Sequence, residues 1–278
     1  MKTLLPLLLA GMLGSASANA QDSVSFTIRF LPQTVYTETI NQRYDMHIDF
    51  DSSSQEIQDK IKESGAPVSS RQLSSRLGCT ITTARPGPTG HIPVVMDITD
   101  TDSLTHRLLG LKAYGKLIPD GLPQYDSVEC PNGDTAMRSS FLKMANTLST
   151  QIPLPNAKLA IGGSYTQVVP IKIPIGPMAA GINEKITYTL KNVTGGIAHF
   201  TLTIMLDMNA TSDALPFPIQ GGGDGTGTME YDTLQNFITN MRMDYDMRVR
   251  VAQEGMIMHL AIHAGMLTTA RISPAGGR

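Results

Sequence analysis

Tryptophan is absent from this 278-residue chain, and aromatic residues make up only 5% of it. Few flat rings disfavour the stacking platforms that hold sugars or unpaired bases. Basic residues do not outnumber acidic ones, at 22 Lys and Arg against 24 Asp and Glu, so no electrostatic footprint for nucleic acid is present. Cysteine is scarce too. Only Cys79 and Cys130 occur, with no C-x-x-C spacing, which speaks against a redox pair.

Long apolar runs are also missing, apart from one near the start. The chain opens MKTLLPLLLAGMLGSASANA, with a basic Lys2, an apolar run from Leu4 to Leu13 and small residues ending Ala18-Asn19-Ala20. That order fits a cleaved secretory signal over residues 1–20. The run is short of the roughly 20 residues that span a bilayer, so no membrane span is expected after cleavage. The remainder, 21–278, reads as a single β-rich domain, with a possible subdivision near 149–157. A secreted or periplasmic location is oxidising, and there Cys79 and Cys130 are expected to form a disulfide.

What the chain does have is alternation. In VSFTIRF, Val24, Phe26, Ile28 and Phe30 oppose Ser25, Thr27 and Arg29; in YDMHIDF, Tyr44, Met46, Ile48 and Phe50 oppose Asp45, His47 and Asp49. Period two marks a strand with one dry face. With a third run at Val35 to Ile40, these predict a small antiparallel meander. Ser53 and Glu56 form a capping-box pattern ahead of Ile57 and Ile61, predicting a helix that stops at Gly65 before Pro67. A second helix is predicted from Asp134 to Leu148. Val169, Ile171, Ile173 and Ile175 alternate with Pro170, Lys172 and Pro174, and the prolines place that strand at a sheet edge. ITYTLKNVTGGIAHFTLTIML reads as a hairpin through Asn192 to Gly196. MRMDYDMRVRV and MIMHLAIHAG follow as two further strands whose charges all fall on one side.

Several motifs invite chemistry and lack its partners. Five glycines lie within Gly221 to Gly227, but Thr228, Met229 and Glu230 follow where a phosphate loop needs Lys and Ser or Thr. The stretch is expected to join strands, with Gly225 and Gly227 letting a strand bend or another backbone come close. Ser140 to Lys143 matches S-x-x-K, without its S-D-N and K-T-G partners. His259 and His263 lack the Glu of a zincin, and Asp97, Asp100 and Asp102 lack the glycine and distal Glu of a calcium loop. No catalytic residue, cofactor or metal ligand is assigned.

Methionine is the unusual abundance, with 16 residues. Met241, Met243, Tyr245, Met247, Met256 and Met258 fall on dry strand faces. Flexible thioethers fill cores, and they also suit a surface that fits varied apolar shapes, so these six are the candidate ligand-lining residues.

LPNAKLAIGGSY (154–165), the Tyr188–Leu190 strand, GGIAHFTL and GTGTMEYD together resemble a family of bacterial secreted β-rich proteins of unknown function, over roughly the C-terminal 120 residues. Members commonly carry Asp and Trp where this chain has Gly163 and Tyr165. The resemblance implies a β fold and transfers no catalytic residue. The fold expected is mainly β or α+β: a curved antiparallel up-and-down sheet, half-barrel-like, with about two short helices. The function expected is non-catalytic binding of a lipid or other apolar molecule on that sheet, in the broad manner of half-barrel lipoprotein carriers. An envelope structural or protein-interaction module acting through sheet edges is the alternative, and a hydrolase without a recognisable motif comes after it.

Overall fold

The computed structural model describes residues 23–276, apart from 53, 56–57, 60–62, 64–68, 104, 118–121, 132, 152–155, 176–177, 211–218 and 254–255. The expected signal segment therefore lies outside the described residues, as do Ser53, Glu56, Ile57, Ile61, Gly65 and Pro67 of the first expected helix. Gln55, Gln58, Asp59 and Glu63 are helical.

The architecture is an open, curved antiparallel sheet of 11 strands, not closed into a barrel. Its strands are β2 (Thr34–Ser52), β3 (Ser69–Thr83), β4 (Ile92–Thr101), β5 (Lys112–Leu117), β6 (Pro123–Glu129), β8 (Ser164–Ile175), β9 (Met178–Thr194), β10 (Ile197–Ala210), β11 (Ile219–Asp232), β12 (Phe237–Gln253) and β13 (Met256–Pro274). Their spatial order is β6-β5-β4-β3-β2-β13-β12-β11-β10-β9-β8. Two up-and-down runs are thus joined at β2 and β13, which pair from Thr34↔Pro274 to Ser52↔Met256. A separate ribbon pairs β1 (Ser23–Thr27) with β7 (Asn156–Ala160). One helix, α1 (Thr135–Gln151), falls where the second was expected; Asp134 Oδ1 caps it by accepting from the Met137 N–H at 2.8 Å.

Residues 24–50 differ from the expected meander. The runs at 35–40 and 44–50 are one strand, because Asn41 pairs with Leu267 on one side and Arg76 on the other, leaving no turn between them. The first run ends at Thr27 and pairs with β7, far along the chain. As the prolines require, β8, with Pro170 and Pro174, is an outermost strand, and those residues have no N–H to offer a further strand. The opposite edge, β6, is covered differently. Asn146 of α1 accepts from the Tyr125 N–H at 2.9 Å and donates to its carbonyl at 2.7 Å.

The glycine stretch is strand β11 itself rather than a connection. Gly221, Gly223, Gly225 and Gly227 sit opposite Met208, Leu206, Ile204 and Leu202 of β10 and Val249, Met247, Tyr245 and Met243 of β12, so all four belong to the apolar face. A Cβ on Gly225 would overlap that of Tyr245 and stand 2.8 Å from the Tyr245 Cα; on Gly223 it would overlap the Asp246 carbonyl oxygen, and on Gly227 that of Arg242. The β12 backbone thus rises into the space that side chains on β11 would occupy. The sheet creases toward its apolar face here, which makes that face concave and packs Leu202 and Leu206 in one core with Met243 and Met247.

The disulfide is not formed: both cysteines are free and buried. Cys79 pairs with Ile98, the Ile98 N–H donates to the Leu111 carbonyl at 2.9 Å, and Cys130 follows the Glu129 that pairs with Lys112. Two strands, β4 and β5, therefore separate the cysteine-bearing positions. At about 4.8 Å per strand their Cα atoms stand beyond the roughly 7 Å that a bridge tolerates. Burial, then the charge of Glu38, pushes the Cys79 thiol up to about 12.

Candidate functional site

Among the described residues, the concave face is covered at one end and bare at the other. At the covered end the β1–β7 ribbon lays Phe26 among Tyr188, Phe200 and Tyr231, with ring centroids 5.5, 5.0 and 5.3 Å away. The Tyr231 hydroxyl locks the ribbon in place by donating to the Thr27 carbonyl at 2.7 Å. Alongside, Phe30 packs on Tyr36 and Phe237 at 4.9 and 5.3 Å, and Phe141, Leu142 and Ala145 of α1 pack on the cluster around Tyr36, Ile81 and Tyr125.

Farther along the same strands this cover stops. Tyr44, Met46, Ile48 and Phe50 of β2 share the concave face with Tyr36, yet all four are half-buried. Their neighbours Met258, Leu260 and Ile262 on β13 and Tyr245 on β12 are half-buried as well, and Leu73 on β3 is 38% exposed. Together they form an apolar trough running along β12, β13 and β2.

The six expected lining residues all lie on this face. They divide by depth. Met243 and Met247 are 7% exposed and belong to the core at the crease, whereas Met241, Tyr245, Met256 and Met258 are half-buried. Met205, on the opposite convex face, is 56% exposed.

Two carboxylates on the concave face were not expected. Glu184 of β9 stands in line with Leu206, Gly223, Met247, Ile262 and Met46, and Glu38 of β2 lies between Ala270 and Cys79. Parity was the signal that could have found them, since Glu184 shares it with Ile186 and Tyr188, and Glu38 with Tyr36 and Ile40. Burial raises both above the ordinary carboxylate range. Neither makes an ion pair or side-chain hydrogen bond among the described residues, and the same holds for the hydroxyls of Tyr44, Tyr188 and Tyr245. Burial, then the charges of Tyr44 and Glu184, raises Tyr245 to about 12.

The other motifs resolve into structure. Asp97 pairs with Lys112 at 3.5 Å and Asp100 with Arg76 at 2.8 Å, while Asp102 accepts from the Thr105 N–H at 3.1 Å in a turn. His263 pairs with Asp246 at 3.0 Å on the convex face, where His259 is also exposed. Ser140 and Lys143 are exposed on α1. Among the described residues no three His, Cys, Asp or Glu gather to hold a metal, and no helix is long and apolar enough to cross a membrane. Among the described residues the convex face carries a shallow groove of about 550 Å³ beside Arg43, Arg76 and Arg242 and another of about 430 Å³ beside Arg248, Arg250 and His259. Both are rimmed by charge. Neither a known protein family nor a curated protein sequence matches this chain.

Proposed function

We propose that the chain is a secreted or periplasmic, non-catalytic binding protein that holds a lipid or another apolar molecule along the bare half of its concave sheet. The observation that carries this reading is the abrupt end of the cover. Phe30 and Phe237 enclose Tyr36 completely, while Tyr44, Met46, Ile48 and Phe50 on the same face of the same strand are only partly buried. A contiguous exposed apolar surface on a soluble domain marks a binding site. The signal-like first 20 residues support export, and both sheet edges are blunted, which favours the face over the edges as the working surface.

Native mass spectrometry of the exported protein, followed by organic extraction, tests the reading. A bound apolar species of defined mass, released by solvent, is expected. Protein emerging without any such species and accepting no alkyl chain when one is supplied would overturn it.

A further inference from the structure

The trough is apolar but not neutral in its demands. Glu184 stands at its margin on β9, in line with Met247 and Ile262, and four residues along the same strand lies Tyr188, itself 8% exposed; across the crease stand the hydroxyls of Tyr245 on β12 and, two strands farther, Tyr44 on β2. These four groups lack partners among the described residues. The cation count is equally one-sided: among described strand residues on this face, Arg71 stands alone, exposed at the far end of β3 and opposite Met46. The basic side chains at paired positions elsewhere on the sheet, among them Arg43, Lys185, Arg248 and Arg250, alternate onto the convex face.

A carboxylate on the same face as Leu206, Ile186 and Met247 loses hydration that nothing among the described residues replaces. Either it stays protonated or a ligand supplies the missing positive charge. We propose, building on the apolar-binding reading above, that the occupant is an amphiphile whose alkyl chain lies along β13 and β2 and whose head is a protonated amine, held by Glu184 with the Tyr188 and Tyr245 hydroxyls nearest it. An ammonium N–H donates to the carboxylate in a charge-assisted hydrogen bond, and the phenol oxygens accept the remaining donors. The tyrosine rings add attraction for a cation over their faces. An alkyl carboxylate of the same length would bring a second negative charge beside Glu184 and is disfavoured.

The test is displacement of a fluorescent naphthylamine probe from the full chain at pH 7 by dodecylammonium, dodecanol and dodecanoate, each below its micelle concentration. Dodecylammonium is expected to act at about tenfold lower concentration than dodecanoate, the size of one charge-assisted hydrogen bond. Glu184→Gln should remove most of that difference, and Tyr245→Phe part of it. Glu230→Gln on the convex face should leave it intact. If all three chains displace the probe equally, or dodecanoate does so best, the head-group inference falls while the apolar-binding reading stands. If wild-type protein binds neither the probe nor any of the chains, both fall together.

Discussion

Tyr36 and Tyr44 stand eight residues apart on the same face of β2, in one unbroken ladder with β13. Tyr36 is wholly buried between Phe30 and Phe237, and its hydroxyl accepts from the Leu31 N–H at 2.6 Å; Tyr44 is half-buried with no side-chain partner among the described residues. Their immediate sequence patterns are alike. The difference comes from what lies on top: among the described residues, segments distant in sequence cover one half of the concave face and leave the other half bare. A dry strand face thus reports that something must shield it, and the covering element decides whether that something is protein.

The largest effect is expected at the crease that makes either half possible. Gly225→Val places a branched side chain against the Tyr245 Cα and Cβ, and should cost more than about 4 kcal/mol, seen as loss of a cooperative urea transition. Gly222→Ala, on the convex face with only the Leu206 carbonyl 3.0 Å from its new Cβ, should keep the transition.

The comparison itself is sharpened by truncation at each end. Tyr36→Ala removes a fully buried ring and should destabilise by about 3–5 kcal/mol, whereas Ile48→Ala, already half in water, should cost about 1–2 kcal/mol in the same denaturation assay and weaken alkyl-chain binding instead. Equal losses at both positions would mean that the trough is covered after all.

A smaller effect concerns pH. Burial raises Glu38 and Glu184 above the usual 4.5, so the folded chain keeps their protons longer than the unfolded chain does. Their contribution is therefore fully present below pH 4.5 and is lost as pH rises through the folded-state values. The double variant Glu38→Gln, Glu184→Gln should show a flatter decline of Tm from pH 4.5 to 7.5 than the parent. The smallest effect is none at all. Dithiothreitol should leave Tm unchanged, because no bridge joins Cys79 and Cys130; a bridge closing that loop would be worth about 4 kcal/mol.

Much of the fold was legible because parity in a strand is unforgiving. The alternation in MRMDYDMRVRV and MIMHLAIHAG places every methionine on the concave side and every arginine on the convex side. Pro170 and Pro174 marked an edge because proline cannot donate to a neighbouring strand. Long-range partnership was not legible. Nothing near Val24 says that it pairs with Leu159, and nothing near Cys79 says that two strands intervene before Cys130. The crease was written in the sequence but hard to read: four glycines at alternate positions share the parity of Met229 and Tyr231, so one face of β11 is stripped of side chains rather than looped. The trough is harder still, since a half-covered face and a fully covered one share the same alternation.

Methionine methyl resonances offer the most direct test, because the side chain occurs on the bare half, in the core and on the convex face. With methyl-labelled protein and a spin-labelled alkyl chain, broadening should strike Met46 and Met258 first and spare Met229 in the core and Met205 outside. Broadening led by Met205, or none at any methyl at saturating chain, would contradict the assignment of the bare concave half as the binding surface.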